Sequence, residues 1–380
     1  MKKIKVVQIV GEKTMVGIAR HVLLLSKELK KQGHDVSAIV TPGPVANQFK
    51  KSKIPCHCVK FKAFLNRRLY HEIRDIIASI KPDIVHCHGN QAGWQGRLAV
   101  RRLPEIAVVY SEYHFTKDFS IRNPVWREFH LRSMTLLNQF TDITIATSPS
   151  IKRYLISRGL SRRNRTVILP CPVELRFLKN KRYKKPEEVP QIIGAIGSLN
   201  PHNGYLWLLQ ALFLMRKIDK HSNWRCQIIG SGPLKKTIRK KIKKLKLTKH
   251  VEMFSSLPNP LSTMRHFTYY VQYSSSESTG IRLLEAMALG VVPICSDRGA
   301  LADIVKNNKN GVLVPLGRPN ELASALQALI KDKEKHNKLS ANARATVTKH
   351  YSVRDIGKRL ELIYSKALKI RHFKQDQETR

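Results

Sequence analysis

The chain has 380 residues, 42% of them hydrophobic, more than one core of ordinary size holds, so two domains are expected. Lys and Arg number 69 against 27 Asp and Glu, a formal net charge of +42, and such a field attracts nucleic acid, anionic lipid headgroups or phosphorylated substrates without defining chemistry. The six cysteines contain no CxxC pair, the amino-terminal apolar run VVQIV is shorter than a signal-peptide core, and no later stretch has the apolar length of a membrane span; a reduced compartment is expected over a secreted one, and with it a soluble cytoplasmic chain.

In chain order, KIKVVQIV (3–10), DVSAIV (35–40), DIVHCH (83–88), IAVVYS (106–111) and DITIAT (142–147) predict buried strands. Helical patterns lie between them. The segment 17–32 sets Ala19, Val22, Leu23, Ser26 and Leu29 on one stripe and stops at Gly33, as a helix C-cap does. From Cys171 to Pro190 three prolines and a charge cluster break the rhythm, which predicts an interdomain linker. The alternation then restarts with QIIGAIG (191–197), RCQIIG (225–230), HVEMF (250–254), YYVQYS (269–274) and VVPICS (291–296), with helices near 204–218, 234–246, 279–289 and 318–331. The tail from 333 to 368 reads as helix with a break at Tyr351. Such alternation predicts an α/β chain of two doubly wound, Rossmann-like domains over 1–172 and 191–350, joined by a linker at 173–190. A final helix at 351–380 is expected to pack back on the first domain. Strand carboxyl ends, and so the ligand loops, are expected to face a central cleft.

The usual nucleotide fingerprints are missing. VGEKTMVG after the first strand is not GxGxxG, no GxxxxGK[ST] occurs, and IIGSGP at 228–233 is a weak turn signal. HCHG (86–89) and CHC (56–58) bear metal-binding side chains, but no second pair has zinc-site spacing, so no metal site is expected. SSSESTGIRLLEAMALG (274–290) is more informative. A helix starting near Ser278 or Thr279 aims the amides of Thr279, Gly280 and Ile281 at the cleft, where they attract phosphate. Glu277 and Glu285 then flank that phosphate along roughly 8 to 12 Å. Carboxylates at the ends accept from vicinal hydroxyls, so a ligand with sugar hydroxyls at both ends and a diphosphate between them, a nucleotide sugar, fits.

The same stretch, SSSESTGIRLLEAMALGVVPI, resembles the Glu-x7-Glu region of the retaining glycosyltransferases of family 4, which have the GT-B fold. RGALADIVKNNKNGVLV (298–314), IGSLNPHNGYLWLLQAL (196–212), MVGIARHVLLLSKELKKQGHDV (15–36) and PDIVHCHG (82–89) are similar to further segments of that family, so the likeness covers nearly the whole chain. It implies a metal-independent, cofactor-free transfer that retains anomeric configuration. Glu277 would lie beside the transferred sugar, Glu285 on the ribose hydroxyls, Gly17 in the glycine loop against the donor phosphates, and His114 near the reaction centre. The first domain would be the acceptor side and the second the nucleotide-sugar side. The acceptor would be a saccharide or a lipid-linked saccharide of the cell envelope, such as polysaccharide or lipopolysaccharide, reached at an anionic cytoplasmic membrane face. A noncatalytic nucleotide-sugar-binding relative is the second reading. A nucleic-acid-binding protein is the third, and no RNP-type aromatic motif or zinc finger supports it.

The departures from the family pattern bear on the mechanism. Ser198 stands where the family has an arginine, Asn203 where it has a lysine, Asp303 where it has a glutamate and Val16 where it has a glycine. The two lost cations would sit at the leaving diphosphate, where preorganised charge supplies much of catalysis. Ser198 and Asn203 are retained as donor-binding candidates through neutral donors, with His202, Arg265, Arg282 or Arg298 as replacements for the charge. The basic helix LKKTIRKKIKKLKL (234–247) reads first as the solvated face of a packed helix and second as a surface for an anionic membrane or nucleic acid, while Arg97, Arg101 and Arg102 beside Trp94, with Arg127 and Arg132 beside Trp126, are the groups expected to hold a lipid-anchored acceptor.

Overall fold

The computed structural model describes residues 3–15, 17–61, 66–113, 124–175, 190–219, 223–255, 260–276 and 279–378. The chain divides into two compact units, one of residues 1–172 with 353–380 and one of residues 173–352. Most of the expected linker, at 176–189, lies outside the described residues, as do Glu277 and His114.

In the first unit, strands β1 (Lys5–Val10), β2 (Asp35–Val40), β3 (Cys56–Cys58), β4 (Ile84–His88), β5 (Ala107–Glu112), β6 (Ile143–Ala146) and β7 (Thr166–Ile168) form a parallel sheet in the order β3-β2-β1-β4-β5-β6-β7. Helices α1 (Ile18–Lys31), α2 (Pro44–Lys51), α3 (Arg67–Ile80), α4 (Asn90–Val100), α5 (Pro124–Leu137) and α6 (Pro149–Ser157) are the crossovers. Both sheet faces are covered, which is why the strands read as continuous apolar runs. On one face Val7, Ile9 and Val85 pack with Ile73, Ile77 and Ala99. On the other, Val6, Val36 and Ile143 pack with Leu25 and Leu29 of α1. A carboxy-terminal helix, α14 (Val353–Glu378), completes that second layer with Ile356, Leu360, Tyr364 and Ala367. Helix α4 lies unusually close to the sheet. A Cβ on Gly93 would come within 2.4 Å of the Tyr110 ring, and one on Gly96 within 2.6 Å of the Cys87 sulfur.

The second unit repeats the plan. Strands β8 (Gln191–Ile196), β9 (Trp224–Ile229), β10 (Val251–Phe254), β11 (Tyr269–Gln272), β12 (Val292–Ser296) and β13 (Val312–Val314) form a parallel sheet in the order β10-β9-β8-β11-β12-β13. Its helices are α7 (Tyr205–Ile218), α8 (Lys235–Lys244), α9 (Pro260–Met264), α10 (Ile281–Ala288), α11 (Gly299–Ile304), α12 (Pro319–Lys331) and α13 (Lys333–His350). The helical tail breaks at Tyr351, the C-cap of α13. Among the described residues no helix is long and apolar enough to cross a membrane.

Two placements correct the expectations. Helix α10 starts at Ile281, two residues later than the sequence pattern suggests, because Gly280 adopts a left-handed conformation (φ 62°) and stands as its N-cap. Arg97 does not lie on an outer basic surface. It is fully buried, its guanidinium 3.8 Å from the centroid of the Tyr110 ring and its Nε donating to the Gly93 carbonyl at 2.8 Å. The close approach allowed by Gly93 and Gly96 draws it in. Arg101 and Arg102 are exposed, as are Arg127 and Arg132, while the Trp126 side chain lies outside the described residues.

Candidate active site

In a doubly wound sheet the chain leaves two neighbouring strands in opposite directions at one place, and the crevice beyond their carboxyl ends is where ligands bind. In the second unit that point lies between β8 and β11. A cavity of about 190 Å³ opens there, lined by residues 195–198 from the end of β8, Asn203, Gly204, Tyr205 and Leu208 at the start of α7, residues 271–273 from the end of β11, and Arg282 from α10.

The loop after β8 is held by its own side chains. The Asn203 side-chain amide donates to the Ser198 carbonyl at 2.5 Å and to Ser198 Oγ at 3.1 Å, and Asn200 Nδ2 donates to the same Oγ at 3.1 Å. The Ser275 amide donates to the His202 carbonyl at 2.8 Å and ties this loop to the segment after β11. Gly204 follows in a left-handed conformation (φ 68°), and a Cβ there would lie 1.8 Å from the Tyr273 carbonyl oxygen. Only glycine lets the two strand ends approach so closely. Ser198 and Asn203, read from the sequence as separate departures, are thus one hydrogen-bonded unit on the cavity wall, polar and uncharged.

Glu285 lies on α10, where the open amides of the first turn belong to Ile281, Arg282 and Leu283. Thr279 and Gly280 precede that turn; Gly280 carries the turn, and its missing Cβ leaves room for Ile304 Cδ1, 2.4 Å from where that atom would be. Glu285 is not a surface helix residue: its side chain is 4% exposed, and its Oε2 accepts from Arg282 Nη1 at 2.6 Å, with Arg282 30% exposed. A carboxylate so buried needs a partner, and Arg282, one turn back on the same helix face, supplies it. Of the four cations weighed as replacements, Arg282 alone among the described residues lines the cavity. Arg298 is turned to Asp297 at 3.3 Å, and the His202 carbonyl serves the loop.

In the first unit, Gly17 caps α1 with φ 53°, and the His21 amide donates to its carbonyl at 3.1 Å. A buried polar network, which the sequence pattern does not reveal, runs along the ends of β1, β4 and β5. Gln8 Nε2 donates to the Tyr364 hydroxyl at 3.0 Å, and Gln8 Oε1 meets His88 Nε2 at 2.7 Å. His88 Nδ1 meets the Tyr113 hydroxyl, His86 Nδ1 the Tyr364 hydroxyl and His86 Nε2 the Ser111 hydroxyl, each at 2.8 Å. Burial holds both imidazoles well below their ordinary pKa, so they are neutral members of the network rather than cations.

Two parallel α/β units of this kind, the second with a polar cavity at its switch point, define the Rossmann-like GT-B class of two-domain proteins. The sequence matches Glycosyltransferase Family 4 over residues 15–177 and Glycosyl transferases group 1 over residues 177–346, and the chain belongs to these group 1, family 4 glycosyltransferases. It is 24% identical to the sulfoquinovosyl transferase SQD2 of Arabidopsis thaliana over 361 residues, 85% of this chain and 65% of that one, so it spans just under two thirds of that relative's length. It is 23% identical to the capsular polysaccharide biosynthesis glycosyltransferase CapM of Staphylococcus aureus over 359 residues, 90% and 92% of the two chains. The structure of Anabaena HepE in complex with UDP-glucose superposes with a TM-score of 0.79 at 18% identity, covering 95% of this chain and 99% of that one, and shares the fold.

Proposed function

We propose that this chain transfers a sugar, with retention and without a metal or other cofactor, from a nucleotide-diphosphate donor to a saccharide or lipid-linked acceptor. One observation supports it above the rest: at the switch point of the second sheet, Arg282 in the first turn of α10 lines the cavity and pairs with the buried Glu285 one turn further on. Glu285 takes the ribose hydroxyls, and the first turn of α10, with Thr279, Gly280 and Ile281, takes the diphosphate. Ser198 and Asn203 offer neutral donors to it. Glu277, Gly17 and His114 are assigned, by likeness to the family, to the donor sugar, the donor phosphates and the reaction centre. Departure of the nucleotide diphosphate builds negative charge on the phosphate and positive charge on the anomeric carbon, so the helix amides and Arg282 act where charge develops.

Arg282 then replaces the two cations lost at Ser198 and Asn203. The ligand's ribose hydroxyls occupy the Glu285 carboxylate and release the guanidinium toward phosphate. The test is calorimetric titration of the purified chain with UDP-, GDP- and ADP-sugars, with the matching diphosphates and nucleosides, repeated for Arg282→Ala. A charge-assisted hydrogen bond contributes about 1.5–3 kcal/mol, so the diphosphate should bind about ten- to a hundredfold more weakly while the nucleoside changes little. Equal loss for both would assign Arg282 to holding Glu285 alone, and failure of every donor to bind the unaltered chain would sink the reading.

For a lipid-linked acceptor, α8 is the membrane-facing element. Ile238 and Ile242 are buried while Lys236, Arg239, Lys240, Lys243 and Lys244 are exposed. Each basic residue near an anionic surface contributes about 1 kcal/mol, so replacing Arg239, Lys240 and Lys243 by Glu should strip the chain from vesicles containing phosphatidylglycerol. Unchanged co-sedimentation would exclude this surface.

A further inference from the structure

The first sheet has its own switch point, between β1 and β4. Glu12 follows β1, Gly89 and Asn90 join β4 to α4, Tyr113 follows β5, and His21 lies on the first turn of α1. Three buried atoms around this point have no hydrogen-bond partner among the described residues: Glu12 Oε2, His21 Nδ1 and Asn90 Oδ1. Buried polar atoms are nearly always satisfied in folded proteins, so three orphans at one crevice need an explanation.

Glu12 lies beside the Gly89 turn that precedes Asn90, and His21 beside Tyr113. Glu12 Oε1 is 3.4 Å from where a Cβ on Gly89 would lie, and Gly89, with φ 68°, leaves the carboxyl that space. The His21 ring, in a residue only 4% exposed, stands edge-on to Tyr113 at 5.4 Å and to His88 at 6.4 Å. Tyr113 in turn is fixed by its hydroxyl to His88.

The chemistry of the three atoms selects the ligand. An ionised carboxylate oxygen and an amide oxygen only accept hydrogen bonds, and a neutral imidazole has one accepting nitrogen. An anion such as phosphate is repelled by the carboxylate. Among the described residues no three His, Cys, Asp or Glu side chains converge to hold a metal ion. Hydroxyl groups, which donate and have little bulk, complement the set. We infer that Glu12, Asn90 and His21 form a hydroxyl-binding subsite for the saccharide acceptor, with Glu12 as the residue that orients one acceptor hydroxyl. This assignment rests on the glycosyl-transfer reading.

The titration of the cluster agrees with it. Desolvation raises the Glu12 carboxyl to about 7 and lowers the His21 imidazole to about 3. His86 and His88 on β4 are held well below their ordinary range, and Tyr113 after β5 and Tyr364 on α14 well above theirs, all by burial. Between pH 6 and 8 only Glu12 among these groups changes charge. A hydroxyl donor favours the ionised carboxylate, so acceptor affinity should rise through that window.

The experiment is saturation-transfer NMR of the full chain with methyl glycosides of glucose, galactose, mannose and N-acetylglucosamine, with and without UDP, on the unaltered chain, Glu12→Ala and Glu12→Gln. Folding is checked by circular dichroism and UDP affinity is measured on the same samples. The expected result is binding of at least one glycoside, tightening from pH 6 to 8, weakened tenfold or more in Glu12→Ala, and flat with pH in Glu12→Gln, with UDP affinity unchanged within twofold. If Glu12→Ala does not fold, the lost pH dependence in Glu12→Gln decides alone. Glycoside binding that ignores both substitutions, or no glycoside binding while UDP binds, overturns the subsite and leaves the donor reading intact. Failure of both UDP and glycosides to bind removes the reading beneath it as well.

Discussion

Glu285→Ala is expected to lower affinity for the nucleotide donor by about two to four orders of magnitude while leaving the fold intact. On the proposed reading the ligand's vicinal hydroxyls displace Arg282 from the buried carboxylate, and each hydrogen bond to a charged group is worth about 1.5–3 kcal/mol. Losing two such bonds costs roughly 3–6 kcal/mol, which is about two to four orders of magnitude in affinity. The cost to the fold is smaller, because Arg282 is 30% exposed and relaxes into water when its partner goes. Glu285→Gln should fall between the two, since an amide still accepts one hydroxyl bond. Titration with UDP, monitored by calorimetry alongside thermal denaturation, separates the effects. An unchanged dissociation constant with a lowered melting temperature would mean that Glu285 serves the helix and not the ligand.

Why Glu285 was legible in the sequence, and Glu12 was not, follows from where each stands. Glu285 is an acid inside an apolar helix, and a buried charge in such a place needs a reason. Glu12 sits in the polar loop GEKT, where an acid is unremarkable. Gly89, which leaves its carboxyl room, is brought beside it only by the parallel pairing of β1 with β4. Arg282 could be named among four candidates, but choosing it required the cavity wall. The strands of both sheets were readable because burial on two faces leaves continuous apolar runs, whereas β3, β7 and β13 have three residues each, too few for any period to show. Helix α4 hid behind Gly93 and Gly96, which suggest a break in sequence and in the structure are the means of close packing. Helices α2 and α6 begin on Pro44 and Pro149, whose fixed φ suits a first turn but reads locally as a loop.

Asp142→Ala is expected to destabilise the first unit by about 3–5 kcal/mol and to loosen α14 from it. Asp142 opens the β6 segment and is fully buried. Its Oδ2 accepts from the Val108 amide at 2.8 Å and from Arg371 through Nε at 2.9 Å and Nη2 at 2.6 Å, while its Oδ1 accepts from Lys374 Nζ at 2.6 Å. Removing the carboxylate strands a buried amide and two cations, of which Arg371 is 14% and Lys374 22% exposed. Burial already pulls the Lys374 ammonium below its ordinary pKa although Asp142 opposes the shift, so the site tolerates that charge only because the carboxylate is there. Asp142→Asn keeps an acceptor for Val108 and should lose about half as much. Combining Asp142→Asn with Arg371→Met and Lys374→Met removes the stranded charges and should recover most of the loss, since a buried ionic cluster is replaceable by apolar groups more cheaply than it is broken. Urea denaturation gives the free energies, and amide exchange along residues 353–378 shows whether α14 opens before the rest of its unit. A single-variant loss below about 1 kcal/mol, or equal protection of α14 in all variants, would mean that Ile356, Leu360, Tyr364 and Ala367 dock the helix without help from the charges.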